Sequence, residues 1–180
     1  MKNFKFDVDY VRDQFPALSR SVNGNPAAFF DGPGGSQVPR RVVAAIEDYL
    51  FYHNANAGGE FLTSKDNDRL FRRGREVLAD FLNCAPEEVC FGANTTSNNI
   101  RLAFGFLRTL KAGDEIIITD IDHEGNRSPW RTLADFGIVV KSVSLDPETC
   151  TLNFDDYKAK LSDKTKLVCV NWAANACGTI

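Results

Sequence analysis

The order of apolar and polar positions divides the chain into segments of two different periods. Val8 to Phe15 suits a short helix. Asn23-Gly24-Asn25-Pro26 is a turn, and Ala27 to Phe30 is a brief strand-like run. Pro39 opens a helix whose Val42, Ile46 and Leu50 share one stripe. Ser64 caps a long helix to about Asn83, with Leu70, Phe71, Val77, Leu78, Phe81 and Leu82 expected to face inward. Ala85-Pro86 ends it. Beyond this point strand and helix patterns alternate. Strands are expected at Glu88–Phe91, Ile116–Ile118, Ile138–Val143 and Leu167–Val170. Helices are expected from Thr96 to Leu110, from Ser128-Pro129 to a stop at Gly137, and from an Asn153 cap to Leu161. Asp146-Pro147-Glu148 is a turn. The uniformly apolar Ile116-Ile117-Ile118 is the kind of strand covered on both faces. This β-α-β-α-β-α-β order implies an α/β fold, a mostly parallel sheet flanked by helices.

Composition narrows the class. The 180 residues are 43% hydrophobic and 25% charged, with net charge −3, proportions of a folded globular chain. The acidic balance argues against a broad footprint for nucleic acid or an anionic membrane. No run of 18 apolar residues occurs, and the N-terminus lacks the apolar core of a secretory signal. The five cysteines contain no C-x-x-C pair, and the two histidines lie far apart. The first fact favours a reduced cytoplasm over a disulfide framework, and the second leaves no metal site expected.

In open parallel sheets, ligands bind beyond the carboxyl ends of the strands. Three such loops can be read. In Gly92-Ala93-Asn94-Thr95-Thr96-Ser97, first-turn amides and two hydroxyls suit a phosphate, although plain N-capping explains the same residues. In Thr119-Asp120-Ile121-Asp122-His123-Glu124-Gly125-Asn126, His123 is either a ring-stacking or proton-moving group or a structural histidine. The carboxylates Asp120, Asp122 and Glu124 leave a magnesium phosphohydrolase as a remote reading. In the third loop, Trp172 to Gly178, Asn175 is either an amide offered to a ligand or a turn former. Cys177 has no evident base and reads as structural. Asp31-Gly32-Pro33-Gly34-Gly35-Ser36 is irregular, its glycines permitting positive φ and close backbone approach.

Taken in order, these segments resemble the fold-type I pyridoxal-phosphate enzymes. More closely, the chain resembles the class V aminotransferase and cysteine desulfurase-like family. The resemblance rests on Phe30 to Pro39, Gly92 to Ser97, Gly113-Asp114-Glu115-Ile116, Asp122 to Trp130 and Asn175 to Ile180. It implies residues 1–25 as an N-terminal arm and residues 26–180 as the N-terminal part of the large, cofactor-binding domain. It also implies that Thr95 and Thr96, with the backbone at Asn94, hold the phosphate of pyridoxal 5′-phosphate. His123 would stack on the pyridine and assist proton transfer, as a catalytic residue. Asn175 would meet the ring hydroxyl or the substrate, and Gly32, Gly34 and Gly35 would line the substrate end. The family's covalent lysine and its pyridinium-pairing aspartate come later than these segments, and none of the nine lysines here has a comparable setting. The 180 residues alone are therefore expected to be inactive, and the parent a homodimeric lyase or transferase acting on an amino acid. The Asp-Gly-Pro-Gly-Gly opening differs from the Asn-Ala-Ala opening of desulfurases, which keeps selenocysteine lyase and other reactions open. The alternative is a non-enzymatic α/β module binding a phosphorylated ligand or partner.

Overall fold

The computed structural model describes residues 6–32 and 34–180. The chain divides into two compact units, residues 1–90 and 91–180. Pro33, in the glycine loop, lies outside the described residues.

The first unit is mainly helical. Helix α1 (Val8–Asp13) is capped by the Asp7 carboxylate, which accepts the Tyr10 amide. Strands β1 (Ser21–Val22) and β2 (Asn25–Pro26) form a hairpin. Its two turn residues, Asn23 and Gly24, have φ of 51° and 79°, the left-handed pair that a two-residue hairpin demands. The Ala27–Phe30 run forms no strand. Helix α2 (Arg40–Asp48) passes into a π-helical turn, Tyr49–His53. Helix α3 (Leu62–Leu82) ends at Asn83, which takes the left-handed conformation at φ 55°.

The first half of α3 is polar because it fastens the preceding loop. Ser64 Oγ accepts the Gly59 amide at 2.7 Å, and Asp68 accepts the Gly58 amide at 3.0 Å. Asn67 donates to the Ala55 carbonyl, and Asp66 meets His53 Nδ1 at 2.9 Å. Ser64 is thus a buried staple inside the helix rather than its cap. The apolar row expected to face inward does not: Leu70, Phe71, Val77, Leu78, Phe81 and Leu82 are all exposed, Phe81 by 83%. Only Ser64, Asn67 and Ala79 are buried on this helix. Helical periodicity identifies an apolar face, but burial requires a facing element, and none of the described residues covers this row.

The second unit contains the sheet. Strand β3 (Glu115–Thr119) is central, with β4 (Val139–Val143) and β7 (Thr165–Val168) parallel to it on either side. All five β3 residues are buried. Ile116 and Ile118 pack with Ala103 of helix α4 (Thr95–Leu107), Trp130 of helix α5 (Glu124–Arg131), Leu133 and Ile138. On the opposite face, Glu115 meets Lys141 at 2.5 Å and the Ser162 hydroxyl at 2.6 Å. Those two partners, Lys141 first, hold the Glu115 carboxyl below its ordinary pKa. Lys141 also donates to Lys160 of helix α6 (Phe154–Lys160). Both faces of β3 are therefore covered, as its unbroken apolar run implies. The short antiparallel pair β5 (Leu145–Asp146) and β6 (Thr151–Leu152) leads into α6, which Asn153 caps.

Two sequence expectations are corrected here. Residues 88–91 form no strand: a 3₁₀ turn, Pro86–Glu88, is followed by irregular backbone with Val89 buried. An apolar run becomes a strand only where a neighbour accepts its ladder bonds, and the described residues supply none. Helix α5 begins at Glu124, not at Ser128, and Pro129 lies inside it. A 3₁₀ turn, Thr132–Phe136, continues to the expected stop at Gly137, whose φ is 81°.

Candidate functional site

The loops at the carboxyl ends of β3 and β7 and the start of α4 carry the candidate residues. Asn94 Oδ1 accepts the Ser97 amide at 2.9 Å, so the Asn94 side chain is a helix cap. The Thr95 and Thr96 amides belong to the first turn, where the helix supplies no acceptor, and both hydroxyl-bearing residues are exposed. The positive end of a 13-residue helix dipole thus faces out between two hydroxyls, a setting that favours a dianion.

His123 is the N-cap of α5. Its Nδ1 accepts the Gly125 amide at 2.9 Å. An accepting Nδ1 carries no proton, so the neutral ring holds its proton on Nε2. The residue is exposed, while the cap fixes the ring's orientation. Asp122 supports the turn by accepting the His123 amide at 2.7 Å and the Asn126 side-chain amide at 2.5 Å.

Gly125 joins the two loops. A Cβ at this position would lie 2.7 Å from Thr96 Oγ1 and 3.0 Å from His123 Nδ1. The hydroxyl expected to meet a phosphate and the imidazole expected to meet a ring therefore flank one buried glycine, at one end of the sheet. The absence of a side chain here lets the two loops pack this closely.

Pro129 explains how the two helices are locked together. It has no amide hydrogen, so the Gly125 carbonyl, four residues earlier, loses its helical donor. Asn99 Nδ2, one turn into α4, donates to that carbonyl at 3.1 Å and to Asn126 Oδ1 at 3.0 Å. Asn99 and Gly125 were not evident as site residues from sequence. The signal was nonetheless present, since a proline inside a helix demands an outside donor for the carbonyl four residues before it.

The acidic side chains of the second loop are engaged in ion pairs and hydrogen bonds. Asp120 meets Arg127 at 2.7 Å and the Ser142 hydroxyl at 2.5 Å. Glu124 pairs with Arg127 at 3.2 Å and also with Arg131. Among the described residues no group of three or more His, Cys, Asp or Glu side chains could hold a metal ion. At the end of β7, burial and then the Asp122 carboxylate push the Cys169 thiol up to about 12, so it is no nucleophile.

Asn175 is exposed in the third loop, in a turn closed by Gly178 N–H to Ala174 O at 2.8 Å. Among the described residues no hydrogen bond joins it to Thr96 or His123. Gly32, Gly34 and Gly35 belong to the first unit and line a cavity of about 590 Å³ with Phe15, Leu18 and Phe30. A Cβ on Gly34 would run into Asp31 Oδ2, whose partner oxygen accepts the Gly34 amide. A side chain at Gly34 would have to displace the exposed Asp31 carboxylate from this contact.

An α/β layer with a dianion-ready helix start beside a fixed imidazole is a setting for a phosphate-bearing, ring-containing ligand. Residues 28–180 match the aminotransferase class-V family, and the chain belongs to that family. It is 36% identical to a cysteine desulfurase of Synechococcus elongatus, across 97% of this chain and 28% of that protein. The apo structure of a cysteine desulfurase from Thermococcus onnurineus superposes with a TM-score of 0.82 at 27% identity, covering 97% of this chain and 42% of that one. A C-DES mutant with glycine covalently linked to its PLP cofactor superposes at 0.72 with 25% identity, covering 90% and 41%. The chain spans less than half the length of these relatives.

Proposed function

We propose that this chain forms the first part of the pyridoxal-phosphate-binding large domain of an enzyme acting on an amino acid, with cysteine as the first substrate to test. One observation carries the reading: Thr96 Oγ1 and His123 Nδ1 flank the same buried glycine, at 2.7 and 3.0 Å from its missing Cβ. A phosphate and an aromatic ring on one small molecule would meet both. The residues fit the group, since the first-turn amides of α4 and the exposed Thr95 and Thr96 hydroxyl residues suit a phosphate and the exposed His123 imidazole suits a ring.

In this reading the Thr95 and Thr96 amides and hydroxyls bind the phosphate, while Asn94 keeps the helix start in shape through its own cap. His123 lies against the ring, and any proton it moves, it moves at Nε2, because Nδ1 is committed to Gly125. Asn175 offers its amide to the ring hydroxyl or the substrate. When bound, pyridoxal phosphate supplies an electron sink that acidifies the substrate's Cα–H. Selenocysteine is the second substrate to test. The five free thiols suit a reducing cytoplasm, and the exposed apolar rows of α2 and α3 suit a homodimer.

The test is ligand selectivity. Calorimetric titration should give measurable binding of pyridoxal 5′-phosphate and at least tenfold weaker binding of pyridoxal. A Thr95→Val/Thr96→Val variant, which keeps the first-turn amides but loses both hydroxyls, should narrow that preference. Equal binding of both by the unaltered chain would remove the proposal.

A further inference from the structure

We propose that Cys150 and Cys177 form a reversible disulfide that clamps the 174–179 loop to the turn between β5 and β6, with Cys177 as the attacking thiol. Cys177 Sγ lies 3.9 Å from the Cys150 carbonyl oxygen. Thr179 Oγ1 bridges them, 3.2 Å from Cys177 Sγ and 2.7 Å from the same carbonyl. The Cys177 sulfur and the Thr179 hydroxyl thus both lie against the Cys150 backbone, and a disulfide here needs the two Cα atoms within roughly 4.4–6.8 Å. Side-chain rotation with a small shift of the loop would bring the sulfurs together.

The two cysteines are suited to different roles. Cys177 is exposed, follows Asn175 by two residues and precedes Gly178, whose φ is 71°. The Thr179 hydroxyl, then its amide, pulls the Cys177 thiol below its ordinary pKa, which raises the thiolate fraction available for attack. Cys150 is half-buried in the turn at φ 53°, an uncommon conformation for a residue with a side chain. The Thr179 hydroxyl has a single proton, which it now gives to the Cys150 carbonyl. Turning that proton to the Cys177 thiolate frees the carbonyl, and with it the Cys150 backbone, at the moment Cys177 becomes reactive. Cys169 is excluded as a competitor by its raised pKa.

The oxidant is a low-molecular-weight disulfide such as oxidised glutathione. The Cys177 thiolate attacks one of its sulfurs, forming a mixed disulfide and releasing one thiol, which takes up the proton Cys177 lost. Cys150, deprotonated, then attacks the Cys177 sulfur and releases the second thiol. Two protein thiols are oxidised and one disulfide is reduced to two thiols. Because the clamped loop contains Asn175, oxidation would also fix that amide in place; this consequence alone rests on the cofactor reading above.

The test uses the 180-residue chain with oxidised glutathione, followed by intact mass and non-reducing peptide maps. The expected product is two hydrogens lighter, contains one linked Cys150–Cys177 peptide and reverts with dithiothreitol. Cys150→Ser should instead accumulate a glutathione adduct on Cys177. Thr179→Val should slow Cys177 alkylation on the order of fivefold relative to the exposed Cys90, which serves as an internal standard of folding and access. A stable Cys177 adduct in the unaltered chain with no linked peptide would overturn the proposal, as would linkage of Cys177 to Cys90 instead.

Discussion

Replacing Gly125 with alanine probes the junction between the Thr96 and His123 loops. The new methyl group would stand 2.7 Å from Thr96 Oγ1 and 3.0 Å from His123 Nδ1, and both distances are too short for undisturbed packing. Two effects oppose each other. Gly125 is helical, so alanine gains about 0.5–1 kcal/mol of helix propensity. Forcing a methyl group into a filled space costs roughly 1–3 kcal/mol. Thr96 can rotate away, because it is exposed, but the His123 ring is tied by its cap. The net expectation is a loss of about 0.5–2 kcal/mol, with the cap from Gly125 N–H to Nδ1 weakened. Gly105 on α4 is the matched control: it is also helical, and a Cβ there has nothing within 4 Å. Gly105→Ala should therefore stabilise by about 0.4–1 kcal/mol. Urea midpoints of the two variants, read beside the His123 ring nitrogen shifts, separate packing from propensity. If Gly125→Ala stabilises as much as Gly105→Ala and leaves the His123 ring unchanged, the proximity of the two loops is refuted.

Three further outcomes follow from the same contacts. Asn94→Ala should cost about 1 kcal/mol in urea unfolding through loss of the Ser97 cap, whatever ligand is present. Leu133→Ala should cost about 2–5 kcal/mol, since Leu133 is fully buried against Ile116, Ile118 and Trp130. The Asp156 carboxyl is held at about 2 by Lys160 and by the Ser144 amide and hydroxyl. Because this pKa is depressed on folding, its contribution is present above pH 4 and is lost as pH falls toward 2. Asp156→Asn should therefore lower the urea midpoint at pH 7 and have little effect near pH 2.

How far the sequence revealed the fold depends on whether a feature is local. The Asn23-Gly24 hairpin, the Asn153 cap and the Gly137 stop are set by backbone chemistry within a few residues, and each was readable. So was β3, because a run with no polar break has to be covered on both faces. Residues 88–91 and the apolar row of α3 were misread for a shared reason: strand pairing and burial depend on a second surface, which periodicity does not supply. The start of α5 was misplaced because Pro129 resembles a helix opener, whereas Asn99 supplies the donor that allows a proline inside the helix. At the candidate site, Thr95 and Thr96 announce themselves by residue type at a helix start, and His123 by residue type in the loop after a strand. Gly125 and Asn99 do not, because their roles exist only once α4 and α5 lie side by side.

The central claim is that one phosphate-bearing ring compound engages the start of α4 and the imidazole of His123 together. Titrating the ¹⁵N-labelled chain with pyridoxal 5′-phosphate tests it most directly. The account predicts that the Thr95 and Thr96 amides and the His123 Nε2 resonance shift along one saturable curve, while inorganic phosphate moves only the two amides. If His123 stays still as the amides shift, or if neither responds, the account is contradicted.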